Sequence, residues 1–224
     1  MSQISLPFDW TGQGGGQDFL VSDANALAVR HLEGWRAWPV QTSVLSGPPR
    51  SGRSTLGRLF ARLSGGSVID DAEAVGDEPL FHAWNRAQND LRPLLLIAQN
   101  PPQHWTVALP DLRSRLSAAP HVAIGEPDDA LALALIERGL AHAGAAWSPD
   151  MPEWLNRRIE RSYATIARVV DCLNAASVSS SRKISVSFAR DTLQRAGFLP
   201  ILYSDPAPTS QEPSFQEPSP QEEH

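Results

Sequence analysis

Gly47, Gly52, Arg53 and Ser54 have the types and spacing of residues that hold a polyphosphate. They meet the pattern G-x-x-x-x-G-K-[ST], except that Arg53 stands where a lysine is usual. Glycines let backbone N–H groups converge on phosphate oxygens, and a helix opening there adds a favourable field. Ser54 sits at the place of a Mg²⁺-binding hydroxyl, with Thr55 beside it. A guanidinium also holds phosphate, but it is larger and planar and is no drop-in for an ammonium. The competing reading is an ordinary Gly/Pro turn before a helix. Downstream, Asp70 and Asp71 close a short apolar stretch. At the C-terminal end of a parallel strand they would lie in the crevice where α/β sheets take ligands. Asp70 suits a water-mediated hold on Mg²⁺, and Asp71 the orientation of an attacking water. A helix N-cap pair is the alternative, since Ala72-Glu73-Ala74 follows. Gln99 and Asn100 end another apolar run, where an amide can sense a γ-phosphate or cap a loop. Arg113 and Arg115, two residues apart, cannot share one helix face, so one pairs internally while the other projects outward.

These residues need particular elements to hold them. Val44 and Leu45 read as the end of a buried strand, and residues 47–52 as a tight loop. Ser54-Thr55-Leu56 then opens an amphipathic helix with Leu56, Leu59 and Phe60 on one face, closing near Ser64-Gly65-Gly66. Before this strand, a helix capped by Ser22 or Asp23 carries Leu27, Leu32 and Trp35 and ends at Pro39. Residues 78–89 read as a helix with Leu80, Phe81 and Trp84 inward. Residues 93–98 are a continuous apolar run fit for the interior of a parallel sheet. Residues 109–116 form a short helix and 121–124 a further strand. From Glu126 onward strand signals fade. Residues 128–142, 150–176 and 185–196 are helical, with Leu155, Ile159, Ile166, Val169 and Val170 as the stripe of the middle segment. The expected fold class is therefore α/β: a parallel sheet with helices on both faces, then a small all-helical lid.

Composition narrows the classes. A hydrophobic share of 42% is ample for a real core, and a formal charge of −6 argues against binding nucleic acid by bulk electrostatics. The lone cysteine, Cys172, excludes an internal disulfide framework. No leader pattern opens the sequence, and no apolar run nears the ~18 residues of a membrane span. A cytoplasmic protein without membrane contact is expected.

The two ends read differently from the body. Residues 1–10 hold Ile4, Leu6, Phe8 and Trp10 around a helix-blocking Pro7. Residues 11–17 are a Gly/Gln-rich linker. An apolar extended peptide on a leash is a linear docking motif, with Leu6 and Phe8 as anchors. Alternatively, it packs back on its own domain as an edge segment. The body spans residues 18–126 and the lid 127–203. The tail, 204–224, repeats Gln-Glu-Pro-Ser and is expected to be disordered.

The order of parts resembles the AAA+ ATPases of the DnaA type, and among them the Hda-like regulators of the bacterial replication initiator. The resemblance rests on Gly52-Arg53-Ser54, Ile69-Asp70-Asp71, Asn100-Pro101-Pro102, residues 109–116 and Arg158-Ile159-Glu160-Arg161, and covers residues 17–198. It implies bound ADP or ATP with Mg²⁺ at Ser54 and Asp70, and Phe19, Leu20 and Val21 near the base. It implies that Arg115 is an arginine finger acting on a nucleotide held by a neighbouring protomer. The family's lid arginine falls at Ala164, with Arg161 one turn earlier as the nearest substitute. The segment before Val68 is too short for the extra strand and helix usual in the family. Weak or no hydrolysis by the chain alone follows. Gln3, Leu6, Pro7 and Phe8 look like the clamp-binding peptide of Hda-like proteins. The partners implied are the DNA polymerase sliding clamp and the initiator DnaA, whose ATP hydrolysis the chain would promote to turn initiation off. With no DNA-binding domain recognised after the lid, sequence-specific DNA binding is not expected. The alternatives are an autonomous ATPase of the clamp-loader or helicase-loader kind, and a nucleotide-binding scaffold without catalysis.

Overall fold

The computed structural model describes residues 19–200 apart from 143 and 145, so the N-terminal peptide, its linker and the tail lie outside the described residues. Four strands, β1 (Thr42–Ser46), β2 (Ser67–Ile69), β3 (Leu94–Ala98) and β4 (His121–Ala123), form one parallel sheet in the order β2-β3-β1-β4. Only Gly65 and Gly66 separate β2 from the preceding helix, which leaves no room for a further strand there.

The two central strands explain the layering. Every residue of β1 and β3 is buried, as expected where helices cover both faces. Successive side chains alternate between faces. Leu45, Leu95 and Ile97 pack on one side with Val29 and Leu32 of α1 (Ala26–Glu33) and Leu56 and Phe60 of α2 (Arg53–Ser64). Val44, Leu94 and Leu96 pack on the other with Leu80 and Trp84 of α3 (Asp77–Asp90) and Leu112 and Leu116 of α4 (Pro110–Ala118). Each such aliphatic side chain contributes about 1.5–3 kcal/mol when fully buried.

The lid is α5 (Asp129–His142), α6 (Met151–Asn156), α7 (Tyr163–Ser180) and α8 (Val186–Arg195), with its own core around Ile136, Leu155, Val169 and Leu193. The helical stretch expected over 150–176 is two helices: α6 ends at Asn156, and Ser162 caps α7, its Oγ accepting from Thr165 N–H at 3.2 Å. At the N-terminal helix Asn25 is the cap residue. Ser22 instead closes the preceding turn, its Oγ accepting from Ala24 N–H. Leu131, Leu135 and Tyr163 of the lid join the core of the α1–α2 side and seat the lid on the body. Among the described residues, no helix is long and apolar enough to cross a membrane.

Candidate functional site

The sheet brings the C-terminal ends of β1, β2 and β3 together. Ser46 pairs with Ala98, and Leu96 with Ile69, so the loops after these strands share one edge. Gly47 N–H donates to Gln99 O at 3.4 Å and ties the first loop to the third. After the loop, Gly52 adopts a left-handed conformation (φ 88°) and α2 starts at Arg53. A Cβ at Gly52 would come within 2.8 Å of the Phe19 ring, so only glycine lets that ring lie on the loop. The first backbone N–H groups of α2 have no intrahelical acceptor, which makes this end an anion site in waiting.

Two buried atoms at the loop lack a partner among the described residues: Arg53 Nη1 and Ser51 Oγ. Such groups cost about 1–3 kcal/mol each when unmade, more when charged. A guanidinium N–H and a hydroxyl are donors of the kind a phosphate oxygen accepts. Beside the loop lies a cavity of ≈ 250 Å³ lined by Phe19, Leu20 and Asn25, by Gly52 and Thr55, and by Leu131, Leu135, Arg138 and Tyr163 from the lid. Phe19 and Leu20 line one wall of this cavity, whereas Val21 is exposed and not part of that lining. Ser54 is half-buried in the first turn of α2.

Asp70 and Asp71 follow β2 and are both exposed. Asp71 satisfies both sequence readings in part. It lies at a strand end and also at the N-cap position of the 3-10 turn Ala72–Ala74, with φ 49° and no side-chain cap bond. Asp70 Oδ1 accepts from Asp71 N–H at 3.1 Å. Among the described residues, no group of three or more His, Cys, Asp or Glu is placed to hold a metal by itself. Gln99 is held by its backbone: its N–H donates to Glu73 Oε1 at 2.8 Å, while Asn100 donates to Oε2 through N–H and Nδ2. Burial pushes the Glu73 carboxyl up. The hydrogen bonds from Gln99 and Asn100, with the Arg53 guanidinium nearby, outweigh it and leave the pKa below the usual glutamate value. Sequence reasoning missed Glu73, because only the fold carries it to the loop after β3.

The arginines depart furthest from expectation. Arg161 does not line the cavity; its Nη2 pairs with Asp129 at 3.0 Å, at the start of α5. The lid arginine that lines it is Arg138, from the third turn of α5. Arg113 and Arg115 both bond within the chain, and Arg113 is nonetheless exposed. Arg113 donates to Val107 O. Arg115 pairs with Asp111 at 2.8 Å, donates to Asn85 Oδ1 at 2.7 Å and lies over the Phe81 ring. It remains about one-third exposed.

Comparison with known proteins supports the fold. No established family profile matches the sequence. Domain III of the replication initiation protein DnaA from Thermotoga maritima superposes with TM-score 0.68 at 12% identity, covering 81% of this chain and 95% of that one. The replication initiator DnaA bound to AMPPCP and single-stranded DNA gives 0.56 at 14%, over 80% of this chain and 66% of that one. The RuvB Holliday junction branch migration motor of Thermotoga maritima gives 0.57 at 15%, over 80% and 70%. The chain has the AAA+ fold that these proteins share: an α/β body followed by a helical lid.

Proposed function

We propose that this chain is a nucleotide-binding AAA+ adaptor of the Hda-like kind. It docks on the DNA-loaded sliding clamp and promotes hydrolysis of ATP held by the initiator DnaA, and so restrains initiation of chromosome replication. The observation that carries the nucleotide half is the pair of buried, unpartnered donors, Arg53 Nη1 and Ser51 Oγ, beside the open N-terminus of α2. Gly47, Gly52, Arg53, Ser54 and Thr55 would hold ADP or ATP at the phosphates. Phe19, Leu20 and Tyr163 would form the wall at the base. Ser54 and Asp70 would hold Mg²⁺, which neutralises phosphate charge when bound, and Asp71 would orient a water.

The adaptor half rests on the sequence resemblance and on the placement of Arg115. That guanidinium does not line the cavity beside the phosphate loop and lies among the partners given above. There it can serve a nucleotide on a neighbouring AAA+ protomer once released from Asp111 and Asn85. A charge supplied in trans to a transferring phosphoryl group can be worth ~10³–10⁵ in rate. Gln3, Leu6, Pro7 and Phe8 supply the clamp contact, with the amide for a hydrogen bond and Leu6 and Phe8 as apolar anchors.

The test is initiator ATP hydrolysis measured with and without loaded clamp. The full chain should accelerate it only with clamp present, and Leu6→Ala with Phe8→Ala should abolish clamp binding, each hot-spot anchor being worth ~2 kcal/mol. Rapid ATP turnover by the isolated chain would favour the autonomous ATPase instead. Arg138, a lid cation at the cavity, is the feature that such an enzyme would use.

A further inference from the structure

The loop after β3 is pinned from several sides. Glu73 Oε1 accepts from Gln99 N–H at 2.8 Å, and Oε2 accepts from Asn100 N–H at 3.3 Å and from Asn100 Nδ2 at 3.0 Å. Gln99 O accepts from Gly47 N–H, and Asn100 O from Trp105 Nε1 at 2.8 Å. The backbone N–H and C=O of both residues thus all have partners. The Gln99 side chain takes part in none of these bonds, and the residue is exposed.

Where that side chain stands follows from the strand. Leu95 and Ile97 face α2, and Ile97 Cδ1 takes the place that a Cβ on Gly57 would need. By the two-residue alternation Gln99 continues that row. α2 joins two parallel strands and so runs back against them. Two residues past Ile97 is about 6.6 Å along the strand, and four residues before Gly57 is about 6 Å along the helix. The residue reached is Arg53, whose Nη1 is buried without a partner among the described residues. Gln99 and Arg53 therefore flank one spot at the opening of α2.

We propose that Glu73 is a positioning residue for the terminal phosphate of a nucleotide: by clamping the backbone of Gln99 it turns that amide to the opening of α2, where Nε2 donates to the γ-phosphate. The site then prefers ATP to ADP. This rests on the nucleotide site proposed above. Glu73 itself touches no phosphate. Three donors converge on it, and a carboxylate meets them with two accepting oxygens. A glutamine has one accepting oxygen, and its own NH₂ would face the Asn100 donors. An aspartate keeps the charge beside Arg53 but is one methylene short of spanning both amides.

The experiment titrates the full chain with Mg²⁺–ATP and Mg²⁺–ADP in a calorimeter, alongside Glu73→Gln, Glu73→Asp, Gln99→Ala and the pair Glu73→Gln with Gln99→Ala. Gln99→Ala should cut the preference for ATP about tenfold, as for loss of a hydrogen bond to a charged group, and leave ADP affinity within about twofold. Either Glu73 variant should match it, so one decides the matter should the other not fold. The pair should lose no more than a single change, because the two residues act through one contact. In the nucleotide-free chain, the Gln99 and Asn100 amide protons should exchange about tenfold faster in Glu73→Gln than in the parent, as for a locally released loop. An unchanged ATP preference in Glu73→Gln overturns the proposal, as do equal losses for ATP and ADP or additive effects in the pair. So does a parental preference in Glu73→Asp, which would assign the effect to charge alone. Unchanged amide exchange overturns it with no nucleotide present. A parent that binds neither nucleotide overturns the function proposed above and this role with it, whereas binding without these differences overturns the role of Glu73 alone.

Discussion

The phosphate loop and the α3–α4 face each present an arginine, and the two are in opposite states. Arg53 is close enough to Glu73 to lower its carboxyl pKa, yet its Nη1 is buried without a partner among the described residues. Arg115 is held by a carboxylate, an amide and an aromatic ring. The first arrangement is incomplete without a ligand; the second is complete without one. An unmet buried donor costs the fold, so its persistence marks a site that something else fills. A half-exposed ion pair such as Arg115–Asp111 is worth little by itself and is easily exchanged for a better partner. This contrast supports the function proposed above, in which the loop is the chain's own nucleotide site and Arg115 a reserve for another protomer.

Changing Arg115 is the most severe way to break this contrast. Arg115→Ala should abolish stimulation of initiator ATP hydrolysis, a loss on the order of 10³-fold or more. The melting temperature should hardly move, because the lost pair is partly solvated. Arg115→Lys should fail almost as badly, since an ammonium lacks the guanidinium fork. Equal stimulation by Arg115→Ala in a clamp-dependent ATPase assay would remove Arg115 from the role.

The lid cation comes next. Arg138→Ala should weaken nucleotide affinity about tenfold, as for loss of a hydrogen bond to a charged group, while Arg161→Ala should leave it unchanged. Equilibrium titration with a fluorescent adenine nucleotide separates the two, and the reverse order would restore Arg161. A smaller effect sharpens the contrast from the other side. Asp111→Asn loosens Arg115, so stimulation should rise up to about fivefold if release from that pair, worth under ~1 kcal/mol, limits the finger.

The smallest expected effect concerns the sheet behind the loop. His31 Nε2 meets Ser43 Oγ at 2.7 Å, and His121 Nε2 meets Ser46 Oγ at 2.8 Å, just before Gly47. Burial lowers both imidazole pKa values, and proximity to His121 lowers that of His31 further. The unfolded chain then binds protons that the folded one refuses. This contribution to stability is full above the ordinary histidine value of about 6.5 and is lost as pH falls through the lowered folded values. Melting curves between about pH 7 and 5 should show the decline, with a shallower slope in His121→Gln. A slope unchanged by that substitution would discount the pair.

Much of this was legible in the sequence. The apolar runs of β1 and β3, the glycine loop between β1 and α2, and the two glycines closing α2 are local signals, and each appears where its chemistry requires. The start of α7 was also local, marked by a cap residue, Ser162, three before Thr165, but no Gly or Pro marked the end of α6 at Asn156. What stayed hidden depends on packing between distant segments. Glu73 reaches Gln99 and Asn100 across 26 and 27 residues. Arg138 reaches the cavity because the lid folds over the loop, and helical periodicity carries no trace of that. The pairing of Arg115 with Asn85 likewise depends on how α4 lies against α3.

The central claim is that the incomplete arginine belongs to a nucleotide. Isothermal calorimetry of the full chain with Mg²⁺–ADP and Mg²⁺–ATP tests it directly, against Arg53→Ala in parallel. Wild type should bind with a one-to-one stoichiometry. Arg53→Ala should lose about tenfold to a hundredfold in affinity, the range for a hydrogen bond to a charged group, while its melting temperature without nucleotide holds or rises because an unmet donor is gone. Absence of binding by the wild type, or equal affinity in the two proteins, would contradict the account.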